Sequence, residues 1–364
     1  MPPVKAAICH EFGTDLTLET IELRAPVKGE IEVTLGAVAI CHSDISYIDG
    51  AWGGTLPAVY GHEAAGIVSG LGDGISGFAI GDHVVVTLIR ACGHCGNCST
   101  GAPTVCETRY DGDHGPIKTA KGGKLHQGMA CGAFAEKVVI DQSQAVKIAD
   151  NLAFDVAALL SCGVITGIGA VVNAAQLRPG QDAVIIGAGG VGLNAIQGAK
   201  LAGARRIVAV DMNPEKLDIA REFGATDVVL ASEAKPWQSV KKTLGRGVDA
   251  VFVTVGIGAV YDTAARYLAY GGKVIMVGMP QNGDSSTFEP VKMAAVNQGM
   301  IGSKMGNVVI RRDIPWMVDL YHQGRLKLDE LISGRFRFEQ INEAIADTKT
   351  GAARRNVIVF DIEG

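Results

Sequence analysis

Hydrophobic and polar positions follow two different rhythms along this chain, and the change falls near residue 151. Before it, apolar and polar residues alternate in short runs. Ile31-Glu-Val-Thr-Leu places every second side chain on one face, the period of a half-buried strand. Residues 4–40 read as several such strands, and Gly61 to Val86 continues the pattern between glycine-rich turns at Gly70-Leu-Gly-Asp-Gly and Gly77. Residues 107–130 are polar and glycine-rich without a period, which predicts a long loop; strand-like chain returns over 131–150. The first 150 residues thus predict a mostly β domain.

Beyond 151 the runs become strand, helix, strand. Ala183-Val-Ile-Ile reads as a buried strand, 191–202 as a helix, Arg206-Ile-Val-Ala-Val as a strand, and 214–223 as a helix opened by Pro214. Val228-Val-Leu, Ala250-Val-Phe-Val-Thr and Lys273-Val-Ile-Met-Val-Gly supply further strands. Repeated units of this kind predict an α/β unit with a parallel, doubly wound sheet. Helices around 313–323 and 340–348 and a last strand, Asn356-Val-Ile-Val-Phe, form a tail expected to return to the first domain.

The 22 residues Val156–Leu177 carry no charge, long enough for a membrane span. Ser161, Thr166, Asn173 and Gln176 interrupt that stretch and a nucleotide motif follows it, so the reading is one helix buried between domains. The start of the chain lacks the apolar core of a signal peptide. A net charge of −5 gives no reason to expect nucleic acid or an anionic membrane as partner. Eight cysteines without a secretory signal point to the cytoplasm and to metal ligands or core residues, not disulfides.

Four of those cysteines, Cys92, Cys95, Cys98 and Cys106, are separated by two, two and seven residues. Four thiolates so spaced can close a tetrahedral shell around structural zinc. A closed shell leaves no position for substrate, so chemistry has to sit elsewhere. Outside the lobe Cys41, His62 in Gly61-His-Glu63, and Cys162 stand out; together two thiolates and an imidazole would leave zinc a fourth position, but their spacing does not itself bring them together.

Gly187-Ala-Gly-Gly-Val-Gly192 matches the dinucleotide fingerprint between a strand and a helix, and Asp211 ends the next strand nineteen residues after Gly192. Gly187 permits the tight turn, Gly189 lets backbone approach a pyrophosphate, and Gly192 lets helix and strand pack closely; Gly190 and Val191, between them, are expected to line the cofactor as well. The Asp211 carboxylate suits a ribose diol and repels a 2′-phosphate, which predicts NAD over NADP.

These motifs, in this order, resemble the zinc-containing medium-chain alcohol dehydrogenases from about residue 5 to the C-terminus. The likeness rests on Cys41-His-Ser-Asp44, on Gly61-His-Glu63 twenty-one residues after Cys41, on the cysteine lobe, Cys162, Gly187–Gly192 with Asp211, and Arg355. Retention of the segment after Cys106 is most like the animal, plant and class III branch. The resemblance implies a GroES-like catalytic domain, 1–163 with 304–364, and a Rossmann domain, 164–303. It implies two zincs per chain, one held by Cys41, His62 and Cys162. Asp44 would orient His62, Glu63 would lie behind the metal, and Ser43 would face the substrate oxygen and take its proton. Thr166 would touch the nicotinamide side, His42 and Arg355 the pyrophosphate, and Asp211 and Lys216 the adenosine ribose. Hydride would pass between an alcohol or aldehyde and NAD in a homodimer whose nucleotide-domain edge strands pair, around Val274–Val277 and near 300. Trp52 and Leu88 would line the alcohol pocket.

Two positions depart from the family pattern. Ser46 stands where class I relatives carry the histidine of the proton relay. Tyr110, with Arg109 beside it, stands where class III enzymes carry an arginine for a glutathione adduct. The second departure weakens one of two alternatives, a class III S-(hydroxymethyl)glutathione dehydrogenase; the other is a non-catalytic zinc- and nucleotide-binding relative.

Overall fold

The computed structural model describes residues 3–361. They gather into two units, one running to Cys162 and resuming at Val309, the other Gly163–Val308. The expected boundaries were 163/164 and 303/304. Residues 304–308 fall with the second unit because Gly306 lies against the helix after Cys162: a Cβ there would stand 2.3 Å from the Ile165 carbonyl.

The first unit holds two sheets over one apolar core that includes Ile8, Ile31, Leu35, Ile40 and Phe134. Its central strand, Glu30–Ala39, pairs antiparallel with Glu63–Leu71, Lys137–Asp141 and Asn356–Val359. The register decides where the chemistry falls. Ala39 lies opposite both Glu63 and Val357, so Cys41, His62 and Arg355 come to the same end of the sheet from three separate stretches of chain. The tail does return to this unit, through the helices Ile310–His322 and Ile341–Lys349 and the strand Asn356–Val359.

Residues 107–130 differ from the expected loop. Ile117–Thr119 adds to the strand Thr17–Leu23, and His126–Gln127 pairs with Ala58–Val59. Strands of two or three residues are too short to show a period, and partners distant in sequence stabilise them. Val156–Leu177 is not one helix either. Phe154–Leu159 ends, the chain turns through Leu160, Ser161 and Cys162, and Gly163–Gly169 begins a second helix that passes into a wide turn, Ala170–Ala175. The break is what turns Cys162 toward the sheet. Ser161 Oγ donates to the Ala64 carbonyl at 2.9 Å, holding that turn two residues from His62. Among the described residues no helix is long and apolar enough to cross a membrane.

The second unit is a six-stranded parallel sheet. Its order is Asp227–Leu230, Arg206–Asp211, Asp182–Ile186, Val248–Val253, Leu268–Met276, Gly299–Gly302. Counted along the chain this is 3-2-1-4-5-6, the doubly wound order whose switch point lies beside the first strand. Leu268–Met276 is an inner strand, so Val274–Val277 presents no open edge; Gly299–Gly302 does. The helix Gly190–Leu201 follows the first strand and packs against Gly163–Gly169 at close range, because Gly167 and Gly198 lack side chains at the contact.

Candidate metal centre and nucleotide site

The sequence brings Cys41, His62 and Cys162 to one place. Their ligand atoms, with a Glu63 carboxylate oxygen, all lie within 4.8 Å of one another, and all four residues are buried. Asp44, on the first turn of the helix His42–Ile48, organises them. One carboxylate oxygen accepts from Gly61 N–H and His62 Nδ1 at 2.9 Å each; the other accepts from Cys41 N–H at 3.1 Å. Because a carboxylate only accepts, His62 Nδ1 carries the hydrogen and Nε2 keeps its lone pair. That Nε2 is buried with no hydrogen-bond partner among the described residues, the condition of a nitrogen waiting for a metal.

The electrostatics fit the same use. The hydrogen bond from Cys162, aided by His62, holds the Cys41 thiol well below the ordinary cysteine range. The same bond, with burial, pushes Cys162 up. Burial pulls the His62 imidazole down, but Asp44 and Cys41 outweigh it and raise it. Burial pushes Glu63 up to about 8, while Arg355 opposes that rise. Arg355 is 7% exposed; its Nη1 donates to the Ile40 carbonyl at 3.1 Å and stands 3.5 Å from Glu63 Oε1. Two thiols, an imidazole with a free lone pair and no disulfide make a donor set suited to zinc. Ser43 is half-buried and His42 exposed on the helix that Cys41 precedes.

The second cluster is Cys92, Cys95, Cys98 and Cys106, again with sulfurs within 4.8 Å and partly exposed. Backbone N–H groups point at the sulfurs: Cys95 N to Cys92 at 3.3 Å, Cys98 N to Cys95 and Cys92 N to Cys106 at 3.4 Å each. Such donors stabilise thiolates. Bonds from the Thr108 side chain and the His94 backbone lower Cys92 to about 5, while burial lifts Cys98 to about 12. Four sulfurs so gathered would fill every position of a tetrahedral metal.

In the second unit Gly187 has φ +98, and Gly192 approaches so closely that a Cβ would meet the Gly187 carbonyl at 1.8 Å. A Cβ on Gly189 would meet nothing within 4 Å, which leaves open space in front of the turn. The Asp211 carboxylate accepts from Ala188 N–H at 2.7 Å and Asn213 N–H at 2.9 Å, which fixes it at the end of the strand beside that space. Gly190 and Val191 open the helix, Lys216 lies half-buried on the helix Pro214–Phe223, and Thr166 is buried against Met305. Sequence reasoning missed the buried glutamate–arginine pair, since only strand register brings Arg355 within 3.5 Å of Glu63. Of the two departures, the Tyr110 hydroxyl donates to Gln127 at 2.5 Å, whereas Arg109 is exposed. Cys9 and Cys131, which belong to neither cluster, are buried in the first unit's core.

Residues 27–150 match the alcohol dehydrogenase GroES-like domain and residues 190–323 the zinc-binding dehydrogenase domain. An NDMA-dependent alcohol dehydrogenase of Amycolatopsis methanolica is 34% identical over 369 residues, covering 99% of both chains. Among solved structures, an alcohol dehydrogenase zinc-binding domain protein from Burkholderia ambifaria superimposes with a TM-score of 0.94 at 32% identity, covering 99% of each chain. Benzyl alcohol dehydrogenase from Acinetobacter calcoaceticus does so at 0.93 and 29%, covering 99% of this chain and 100% of that one. The chain belongs to the zinc-binding alcohol dehydrogenase family. It is an oxidoreductase with a GroES-like and a Rossmann domain.

Proposed function

We propose that this chain oxidises primary or secondary alcohols, and reduces the matching carbonyl compounds, with NAD, using one working and one structural zinc. The observation that carries the reading is the convergence of Cys41, His62 and Cys162 with His62 Nε2 unpartnered. Zinc held there would supply Lewis acidity, favouring the ionised form of a hydroxyl beside it. NAD would supply the two-electron acceptor.

The rest is the work of the chain. Asp44 fixes the tautomer and direction of His62. Ser43, two residues after Cys41, takes the alcohol proton and passes it outward. Ser46 lies one helical turn further on and can relay a proton through water, although a serine is not a base near neutral pH. His42 and Lys216 would bind phosphate and ribose, Thr166 the nicotinamide side, and Arg355 the pyrophosphate. Asp211, held by two backbone donors, favours NAD. Cys92, Cys95, Cys98 and Cys106 would hold the structural zinc.

A homodimer joined along Gly299–Gly302 completes the proposal, since that strand leaves one edge unpaired in its sheet. We place the enzyme in the cytoplasm. The retained segment after Cys106 supports the animal, plant and class III likeness, but the engaged Tyr110 hydroxyl gives a glutathione adduct no arginine at that position.

The test is a panel of alcohols run with NAD, NADP and NDMA in turn, on wild type and Cys41→Ala. NAD-dependent turnover lost in the variant supports the proposal. Turnover that survives in Cys41→Ala, or that needs NADP, refutes it; turnover with NDMA and no added NAD would refute the use of NAD as a free co-substrate.

A further inference from the structure

One peptide of the glycine-rich turn is held at both ends by side chains from neighbouring strands. The N–H of the Gly187–Ala188 peptide donates to Asp211 Oδ2 at 2.7 Å, and its carbonyl accepts from Thr254 Oγ1 at 2.9 Å. Asp211 ends the strand on one side of Asp182–Ile186, and Thr254 follows the strand Val248–Val253 on the other. Thr254 Oγ1 also stands 3.0 Å from the Ile186 carbonyl, but that oxygen already accepts the Thr254 backbone N–H at 3.0 Å. No backbone N–H among the described residues donates to the Gly187 carbonyl. The hydroxyl is therefore its hydrogen-bond donor. The fit is close: a Cβ on Gly187 would stand 2.9 Å from Thr254 Oγ1.

A pin matters at this peptide. Gly187 has φ +98, and glycine adopts either sign of φ at little cost, so the backbone by itself resists a peptide flip weakly. A flip would turn the carbonyl toward Asp211, where its negative end opposes the carboxylate. Asp211 would lose the shorter of its two backbone donors and with it a fixed direction toward the ribose. We infer that Thr254 is a positioning residue for the dinucleotide: its hydroxyl holds the Gly187–Ala188 peptide in one orientation and, through Ala188 N–H, holds Asp211 in place. The inference rests on the NAD reading above and deepens it.

The experiment uses the full chain and two measurements. Hydrogen exchange of the Ala188 amide, followed by NMR without cofactor, reads the peptide; NADH fluorescence reads the affinity. Loss of one ordinary hydrogen bond lowers the share of the competent orientation, so in Thr254→Val the Ala188 amide exchanges about 3- to 10-fold faster and NADH binds weaker by a similar factor. The amides of Val184 and Val208, inside the sheet, keep their wild-type rates. Thr254→Ser retains the hydroxyl and keeps both wild-type values. Unchanged Ala188 exchange in Thr254→Val overturns the inference, and so does faster exchange without loss of NADH affinity. A rise in exchange shared by Val184 and Val208, or a Thr254→Ser protein that behaves like Thr254→Val, marks a merely structural threonine and overturns it too. If Thr254→Val does not fold, Thr254→Ala is read the same way. A wild-type chain that binds no NADH overturns the NAD reading itself, whereas normal wild-type binding with unresponsive threonine variants overturns only the inference.

Discussion

Asp44→Ala is the sharpest test of how this site is built. Three donors point at the Asp44 carboxylate, Gly61 N–H, His62 Nδ1 and Cys41 N–H, at 2.9, 2.9 and 3.1 Å, and the carboxylate is fully buried. Alanine leaves all three without acceptors where water cannot replace them. A stranded buried donor costs about 1–3 kcal/mol, so the three together come to roughly 3–9 kcal/mol. The lower half of that range, about 3–6 kcal/mol, is the realistic expectation because the backbone relaxes and donors share acceptors. Against a typical total stability of about 5–15 kcal/mol this is a large fraction.

The same substitution frees the His62 ring. Without an acceptor at Nδ1 the hydrogen can move to Nε2, so the metal loses both a fixed direction and a lone pair. Zinc affinity should fall about 10- to 100-fold. Denaturant unfolding of chelator-treated protein measures the first effect, and competition with a zinc chelator the second. Asp44→Asn keeps the volume and one acceptor oxygen, so it should unfold at an intermediate concentration yet still lose zinc affinity. An Asp44→Ala protein within about 0.5 kcal/mol of wild type, the range of an ordinary surface change, with unchanged zinc affinity would refute the reasoning.

Other expectations follow from the same structure. Gly192→Ala should abolish NAD binding and destabilise the second unit, because its Cβ would stand 1.8 Å from the Gly187 carbonyl; dinucleotide binding read by fluorescence checks it. Cys95→Ser should lower the zinc content by one ion per chain while Cys41→Ala lowers it by a different one, so the double variant should hold none in elemental analysis. Asp227 is pulled up by burial, but its bonds from Arg206 and Thr226 outweigh this and hold it below the ordinary aspartate range. A depressed carboxylate contributes stability that is fully present above pH of about 4 and lost as pH falls through the folded value. Asp227→Asn should therefore flatten the acid limb of a stability–pH profile; an unchanged limb would count against the pairing. Asp211→Ser should narrow the preference for NAD over NADP, measured as the ratio of the two kcat/KM values.

Much of this protein was legible before any coordinates. Gly187 to Gly192 works as a local device: the turn, the close approach and the helix start all lie within six residues, so sequence spacing carries the geometry. The cysteine lobe is likewise local, its four ligands lying within fifteen residues. Strand and helix periods placed Asp182–Ile186, the helix Gly190–Leu201 and Arg206–Asp211 within a residue of where they lie, whereas Leu268–Met276 begins five residues before the Lys273 read from the sequence and Gly299–Gly302 shows no strand period in the chain.

What is not local had to wait for the fold. Cys41, His62 and Cys162 carry no mutual spacing rule; they meet because Ala39 lies opposite Glu63 and because a helix breaks at Cys162. The charge-free run Val156–Leu177 reads as one helix, since the turn at 160–162 is stabilised by Ser161 reaching the Ala64 carbonyl, a partner 97 residues away. That Arg355 comes within 3.5 Å of Glu63 is not readable in the chain for the same reason. Local rules specify which residue types and which elements form, because they act through neighbouring dihedral angles and periods. Which distant side chains share a buried, weakly screened space is decided by strand register and packing, and in this protein that is where the charges of the site are set against one another.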